Sequence, residues 1–192
     1  DNTTLISRAQ LVARFAPADV NPSGPIFDPE KFLWMAGEYI RNDELGRLAD
    51  RCAPFVVRAG LASAEELAAR RPWYLAAVAS EKERIKLYAE LPARIAYLFA
   101  SDDALAYQPD ALAAAQKHTQ STATLASYAE WLGPRLEPLD PARLREGTKQ
   151  WVKERGLAMP ALFQPLRCAL TGALGGVDLF DAMGLLGADR VR

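Results

Sequence analysis

The chain has 192 residues, half of them hydrophobic and 24% charged, with a formal net charge of −1. That length fits one domain or two small ones with a real core, the charged share argues against disorder, and a near-neutral balance argues against a general polyanion binder. No apolar run approaches the roughly eighteen residues needed to span a membrane. The start, DNTTLISRAQ, lacks the basic and apolar regions of a signal peptide, and it lacks an initiator Met, as a fragment or processed chain would.

A helix is predicted over 4–15, followed by an extended connector over 16–27 marked by Pro17, Pro22, Gly24 and Pro25. Asp28-Pro29 puts a cap before a first-turn proline and opens a helix that runs to 41. Further helices are predicted over 43–58, over 63–70 behind the Ser63/Glu66 capping box, and over 72–99 with a break at Pro92. The stretch SDDALAYQP at 101–109 follows the apolar Tyr97-Leu98-Phe99 ending and places a seam between two helical subdomains, 1–100 and 101–192. Beyond it, helices are predicted over 109–132, over 140–155 behind Asp140-Pro141, over 160–171, and over 178–186 with Asp178 as cap. No alternating run of β-branched and aromatic residues appears, so the fold class is all-α. Cys52 and Cys168 lie far apart, form no metal-like cluster and read as two reduced thiols.

The most informative stretch runs from Phe163 to Gly187. Leu162, Leu166, Ala169 and Leu170 recur at helical spacing and are expected to bury one face, with Arg167 projecting at its edge. Gly175-Gly176 leaves backbone with almost no side-chain cover. Two helices, one arginine and a bare loop suit a surface that reads something flat and polar, and they also suit an ordinary αα-hairpin with a flexible turn. Between Arg143 and Arg167 six Lys/Arg stand against two Glu. Arg145, Lys149 and Lys153 share one helix face, away from Leu144 and Trp151, either as a solvated face or as a phosphate-facing patch. His118 sits in the polar QKHTQS and reads as a surface residue. The acids of Glu81-Lys82-Glu83-Arg84 are expected to face solvent. Gly175-Gly176 is no phosphate loop, since no strand precedes it and no Lys-Ser/Thr follows. No catalytic residue or metal-ligand set emerges.

Three motifs carry a resemblance. QPLR followed by ALTG, then a variable loop and the L-F-x-x-x-x-L-L-G run ending at Gly187, resembles the C-terminal anticodon-binding region of bacterial glutamate–tRNA ligases. GPIFDPEKFLWMAGEYIR, from Gly24 to Arg41, is similar to that family's G-x-x-F-D-x-x-K-L-x-W-M-N-G-x-Y-I-R signature. KERIKLYAELPARIAYLF, from Lys82 to Phe99, resembles its K-x-R helix and L-x-E-x-x-x-x-x-x-Y-L-F ending. Ala36 replaces the family's usual Asn, and Gly-Gly stands where the family's loop often carries Thr-Pro.

The resemblance implies two compact helical subdomains forming a cage for the anticodon loop of glutamate tRNA. Residues up to about Asn42 would link the cage to a stem-contacting domain, with Trp34 and Tyr39 as packing residues. It implies a monomer in the cytoplasm that binds neither DNA nor membranes. The H-I-G-H-like and K-x-S-K-like motifs are absent; the family's architecture puts them N-terminal to Asp1, together with ATP and Mg. The chain alone is therefore expected to carry no aminoacylation activity and no cofactor. Arg84 corresponds to the arginine that reads the third anticodon base. Arg167 with Leu174, Gly175, Gly176, Val177 and Leu179 corresponds to the surroundings of the first two bases. Lys82, Lys86, Arg145, Lys149 and Lys153 are candidate phosphate contacts. A helical protein–protein adaptor, the similar region of class I lysine–tRNA ligases, and a non-discriminating enzyme that also charges glutamine tRNA stand as alternatives.

Overall fold

In the computed structural model every regular element among the described residues (5–20, 24, 26–117 and 121–192) is a helix or a 3-10 turn. α1 (Arg8–Arg14) starts later than the periodicity predicts, because Ser7 accepts from the Gln10 N–H and Gln10 reciprocates. α2 (Pro29–Arg41) opens where Asp28 accepts from the Glu30 and Lys31 amides, as its Asp-Pro start predicts. The connector between them contains a 3-10 turn at Pro17–Asp19. α3 (Leu45–Arg58), α4 (Ala64–Ala69) behind the Ser63/Glu66 capping box, and α5 (Arg71–Glu81) follow.

The helix predicted over 72–99 is interrupted well before Pro92. α5 stops at Glu81, residues 82–84 form a turn, and α6 (Leu91–Ile95) carries Pro92 in its first turn. Nothing local in KERIKL breaks a helix, so tertiary contacts decide. Ile85 is fully buried, and Lys82 Nζ donates to the Asp43 carbonyl at 2.6 Å. Arg84 therefore lies in a turn and not on the helix that the motif implied.

The second half holds α7 (Pro109–Gln116), α8 (Ser121–Leu132), α9 (Pro141–Glu154), α10 (Met159–Thr171), α11 (Leu179–Leu186) and α12 (Ala188–Val191). The single helix expected over 109–132 is described as two, and His118 lies outside the described residues. Asp140 and Asp178 cap α9 and α11 as predicted. α10 buries Leu162, Pro165, Leu166, Cys168 and Thr171, while Ala169 is exposed, so the buried stripe is rotated from the expected one.

One core runs from Ile40 to Leu98, built on Leu48, Cys52, Tyr74, Ile85 and Ile95. Burial pushes the Cys52 thiol up to about 12, leaving it an inert packing group. The other joins Tyr128, Leu144, Trp151, Leu162, Phe180 and Met183. α11 belongs to both, since Ala182 and the preceding Val177 complete the first core while Leu179 and Phe180 enter the second. Trp73 Nε1 donates to the Leu185 carbonyl at 2.8 Å, and Arg190 donates to the carbonyls of Leu98 and Tyr97 at 3.0 and 3.2 Å. Trp34 was expected to pack but is 46% exposed, whereas Tyr39 is half-exposed and bonded through its hydroxyl to Ile6.

Candidate nucleic-acid interface

The turn that carries Arg84 is fastened from below. Asp43 accepts from Arg47 Nε at 2.6 Å, from Arg51 Nη1 at 3.0 Å and from the Glu44 N–H at 3.0 Å. Burial alone would raise the Asp43 carboxyl, but the Arg47 hydrogen bond and the charges of Arg51 and Arg47 outweigh it and hold the group below its ordinary value. The same residue's carbonyl takes Lys82, so the Lys82 ammonium is held within the fold, not presented outward as a phosphate contact would be. Arg84 is exposed and donates through Nη1 to the Ser80 carbonyl at 2.9 Å, a cation at the carboxyl end of α5. The Tyr88 hydroxyl accepts from Arg51 Nη1 at 3.0 Å. Lys86 is exposed nearby.

Glu81, expected at the surface, is buried at the end of α5 with 1% of its area exposed. Burial raises its pKa, opposed by the charges of Arg94 and Arg84 and by a hydrogen bond from the Val177 N–H. Arg94 approaches the carboxylate at 3.5 Å. One carboxylate thus ties the 82–84 turn, α6 and the loop after α10 together.

That loop is organised from its other side by Arg167. Its Nη1 donates to the Val177 carbonyl at 2.8 Å. The guanidinium is half-buried, and desolvation pulls its pKa below the ordinary arginine value; Asp178 and Glu81 oppose this while the charge of Arg84 adds to it. The Val177 carbonyl is therefore engaged inside the protein and its side chain is buried, so Val177 offers less open backbone than the two glycines before it. Leu179 is likewise a core residue, because the first turn of α11 faces the second core. Leu174, Gly175 and Gly176 are exposed. Gly176 has φ +136, open to glycine and strained for other residues. A Cβ built there would stand 3.9 Å from Arg167 Nη1, which measures how closely the bare backbone approaches the guanidinium.

Glu81, Arg94, Tyr97, Tyr107, Arg167 and Gly175 to Val177 line one open groove of about 1060 Å³. Arg84 is not on its wall, although its charge reaches Arg167. Arg167 and the glycines stand out in the sequence, whereas Glu81, Arg94, Tyr97 and Tyr107 join them only in the folded chain. Their only local signal is charge and aromatic spacing that an exposed helix would also show.

On α9 the three basic residues share a face but differ in their partners. Arg145 pairs with Asp178 at 2.7 Å and Asp181 at 3.5 Å and lies over the Phe180 ring, so it fastens α9 to α11 and is not the free cation expected. Burial would raise Asp178, but the Arg145 hydrogen bond and the amides of Phe180 and Asp181 bring it below its ordinary value. Lys149 makes an exposed pair with Glu146 at 2.8 Å, and Lys153 is exposed. Such an exposed pair holds its lysine weakly.

Among the described residues no group of His, Cys, Asp and Glu is arranged to hold a metal ion, and no helix is long and apolar enough to cross a membrane. Residues 47–192 match the family model of an anticodon binding domain. The glutamate–tRNA ligase of Roseiflexus sp. (strain RS-1) is 34% identical over 98% of this chain and 37% of its own length. That of Thermus thermophilus is 32% identical over 99% of this chain and 38% of its own length. The crystal structure of a glutamate tRNA ligase from Elizabethkingia meningosepticum CCUG26117 superposes with a TM-score of 0.75 at 19% identity, over 97% of this chain and 35% of that one. The resemblance read from the three motifs agrees with these matches, and the chain spans little more than a third of each relative.

Proposed function

The chain belongs to the anticodon binding domain family, and on that premise we propose that it reads the anticodon loop of glutamate tRNA as the recognition part of a glutamate–tRNA ligase. One observation carries the reading. Arg167 lines a groove beside the bare Gly175-Gly176 backbone, and Arg84, singled out from a separate motif, is held next to the groove's Glu81 by the bond from its N–H to the Glu81 carbonyl at 2.9 Å. Unpaired bases are read by stacking and by hydrogen bonds to their edges, and guanidinium planes and open backbone supply both.

Within this reading Arg167, Leu174, Gly175 and Gly176 face the first two bases and Arg84 the third. Lys86, Lys149 and Lys153 are the exposed lysines placed for phosphates. The chain supplies recognition and no chemistry, so ATP and Mg act in the part of the enzyme beyond these 192 residues. It works as a monomer in the cytoplasm. A division at 100/101 is supported by the two cores that α11 joins.

Arg84 gives the sharpest test. Cytosine offers adjacent acceptors O2 and N3 to a guanidinium fork, whereas guanine turns N1–H and N2–H donors toward it. Glutamate anticodons end in C and glutamine anticodons in G. In titrations of RNA hairpins differing at that base, the unmutated chain should prefer C, and Arg84→Gln should lose about 1–3 kcal/mol of that preference. Its thermal unfolding should change little, since among the described residues the Arg84 side chain has one hydrogen bond, to the Ser80 carbonyl. Equal binding of the C and G hairpins by the unmutated chain would remove the role of Arg84.

A further inference from the structure

We propose that Tyr107 is a stacking platform for one unpaired base of the RNA loop seated in the groove beside Arg167. The inference rests on the RNA-binding reading above and adds a residue that neither the motifs nor the family match assigns.

The chain's six tyrosines are used differently. Tyr39, Tyr74, Tyr88 and Tyr128 are bonded through their hydroxyls, and Tyr97 is buried. Tyr107 is 46% exposed and, among the described residues, has neither a hydrogen bond nor a ring contact. Nearly half of the residue is left open to solvent, although a buried aromatic is among a fold's largest available sources of stability.

The backbone beneath the ring is held firmly. Gln108 N–H donates to the Gly172 carbonyl at 2.8 Å, joining the start of α7 to the end of α10. At Gly172 the chain has φ +67, and the Ala106 carbonyl oxygen lies 2.0 Å from where a Cβ would be, with Tyr107 Cα 3.5 Å from the same point. Residues 106–108 thus pass against α10 so closely that only glycine fits beneath them. Pro109, with its fixed φ, starts α7 immediately afterwards. Tyr107 and Arg167 are therefore carried by one rigid junction, and both line the groove, together with Arg94 and the exposed Gly175-Gly176 backbone.

Every base has a π face, and an aromatic with two side-chain torsions on a fixed backbone presents its own at little entropic cost. The guanidinium of Arg167 supplies charge and hydrogen-bond donors to the same groove, where the edge of a stacked base needs polar partners. Stacking of this kind depends on the ring and is indifferent to the hydroxyl.

The test uses the 192-residue chain and an RNA hairpin carrying the glutamate anticodon, with 2-aminopurine placed at each unpaired loop position in turn. One position should change fluorescence strongly on binding. Tyr107→Phe should keep that signal and bind within about twofold, whereas Tyr107→Leu should lose the signal and bind roughly tenfold more weakly, with an unchanged melting temperature. Tyr107→Leu binding like the unmutated chain, with the same fluorescence change, overturns the proposal while leaving the RNA reading intact. Tyr107→Phe failing as badly as Tyr107→Leu also overturns it, because the hydroxyl and not the ring would then be the contact. No binding by the unmutated chain removes the RNA reading itself, and this proposal with it.

Discussion

Replacing Gly172 by alanine is expected to destabilise the chain by roughly 3 kcal/mol, the sum of a left-handed backbone cost and one lost hydrogen bond with its strained surroundings. Gly172 ends α10 at φ +67, and its Cβ would fall 2.0 Å from the Ala106 carbonyl oxygen, which belongs to backbone and cannot rotate away. The 106–108 segment would have to lift, breaking the bond from Gln108 N–H to the Gly172 carbonyl. Gly156 provides the control. Its φ is +62 with nothing within 4 Å of a built Cβ, so Gly156→Ala should cost only the backbone part, about 1–2 kcal/mol. Urea unfolding of both variants separates the terms through their midpoints. Equal losses would mean that the 106–108 segment gives way freely and is no fixed support for Tyr107.

Arg167→Ala is expected to weaken hairpin binding by about 1–3 kcal/mol, the range for a lost base stack or bidentate contact. The residue acts twice. It lines the groove, and its Nη1 holds the Val177 carbonyl, shaping the loop that carries Gly175 and Gly176. Arg167→Lys separates charge from geometry, because lysine keeps the charge but has neither plane nor fork. The lysine variant should retain the salt dependence of binding yet recover only part of the affinity. Isothermal titration at two salt concentrations reads both quantities. An unchanged affinity in Arg167→Ala would leave Arg167 as a tie between α10 and the loop and nothing more.

Helix starts were legible because a cap is local chemistry. Asp28-Pro29, Ser63 with Glu66, Asp140-Pro141 and Asp178 each place an acceptor under free amides, and each caps its helix. The turn at 82–84 was not legible. Its residues favour helix, and what ends α5 is the contact of Lys82 with Asp43, distant in sequence, together with the burial of Ile85. The burial of Glu81 has the same origin, since only the folded chain brings Val177 and Arg94 to it. α12 is four residues long, too short for periodicity to register. The site divided in the same way. Arg167 and the glycines stood in one continuous motif, whereas the groove they edge also needs Glu81, Arg94 and Tyr97 from the other side of the seam and Tyr107 from the seam itself. On α9 the spacing of Arg145, Lys149 and Lys153 was right, but spacing cannot show that Asp178 and Asp181 would claim Arg145.

The proposed function is the reading of an unpaired anticodon and not of RNA in general. The most direct measurement is its affinity for a hairpin carrying the glutamate anticodon against the same stem closed by a stable four-nucleotide loop, at one fixed salt concentration. The anticodon hairpin is expected to bind at least about tenfold more tightly, because phosphates are shared by both and a full set of exposed bases is offered by only one. Equal affinity for the two, or none for either, would contradict it.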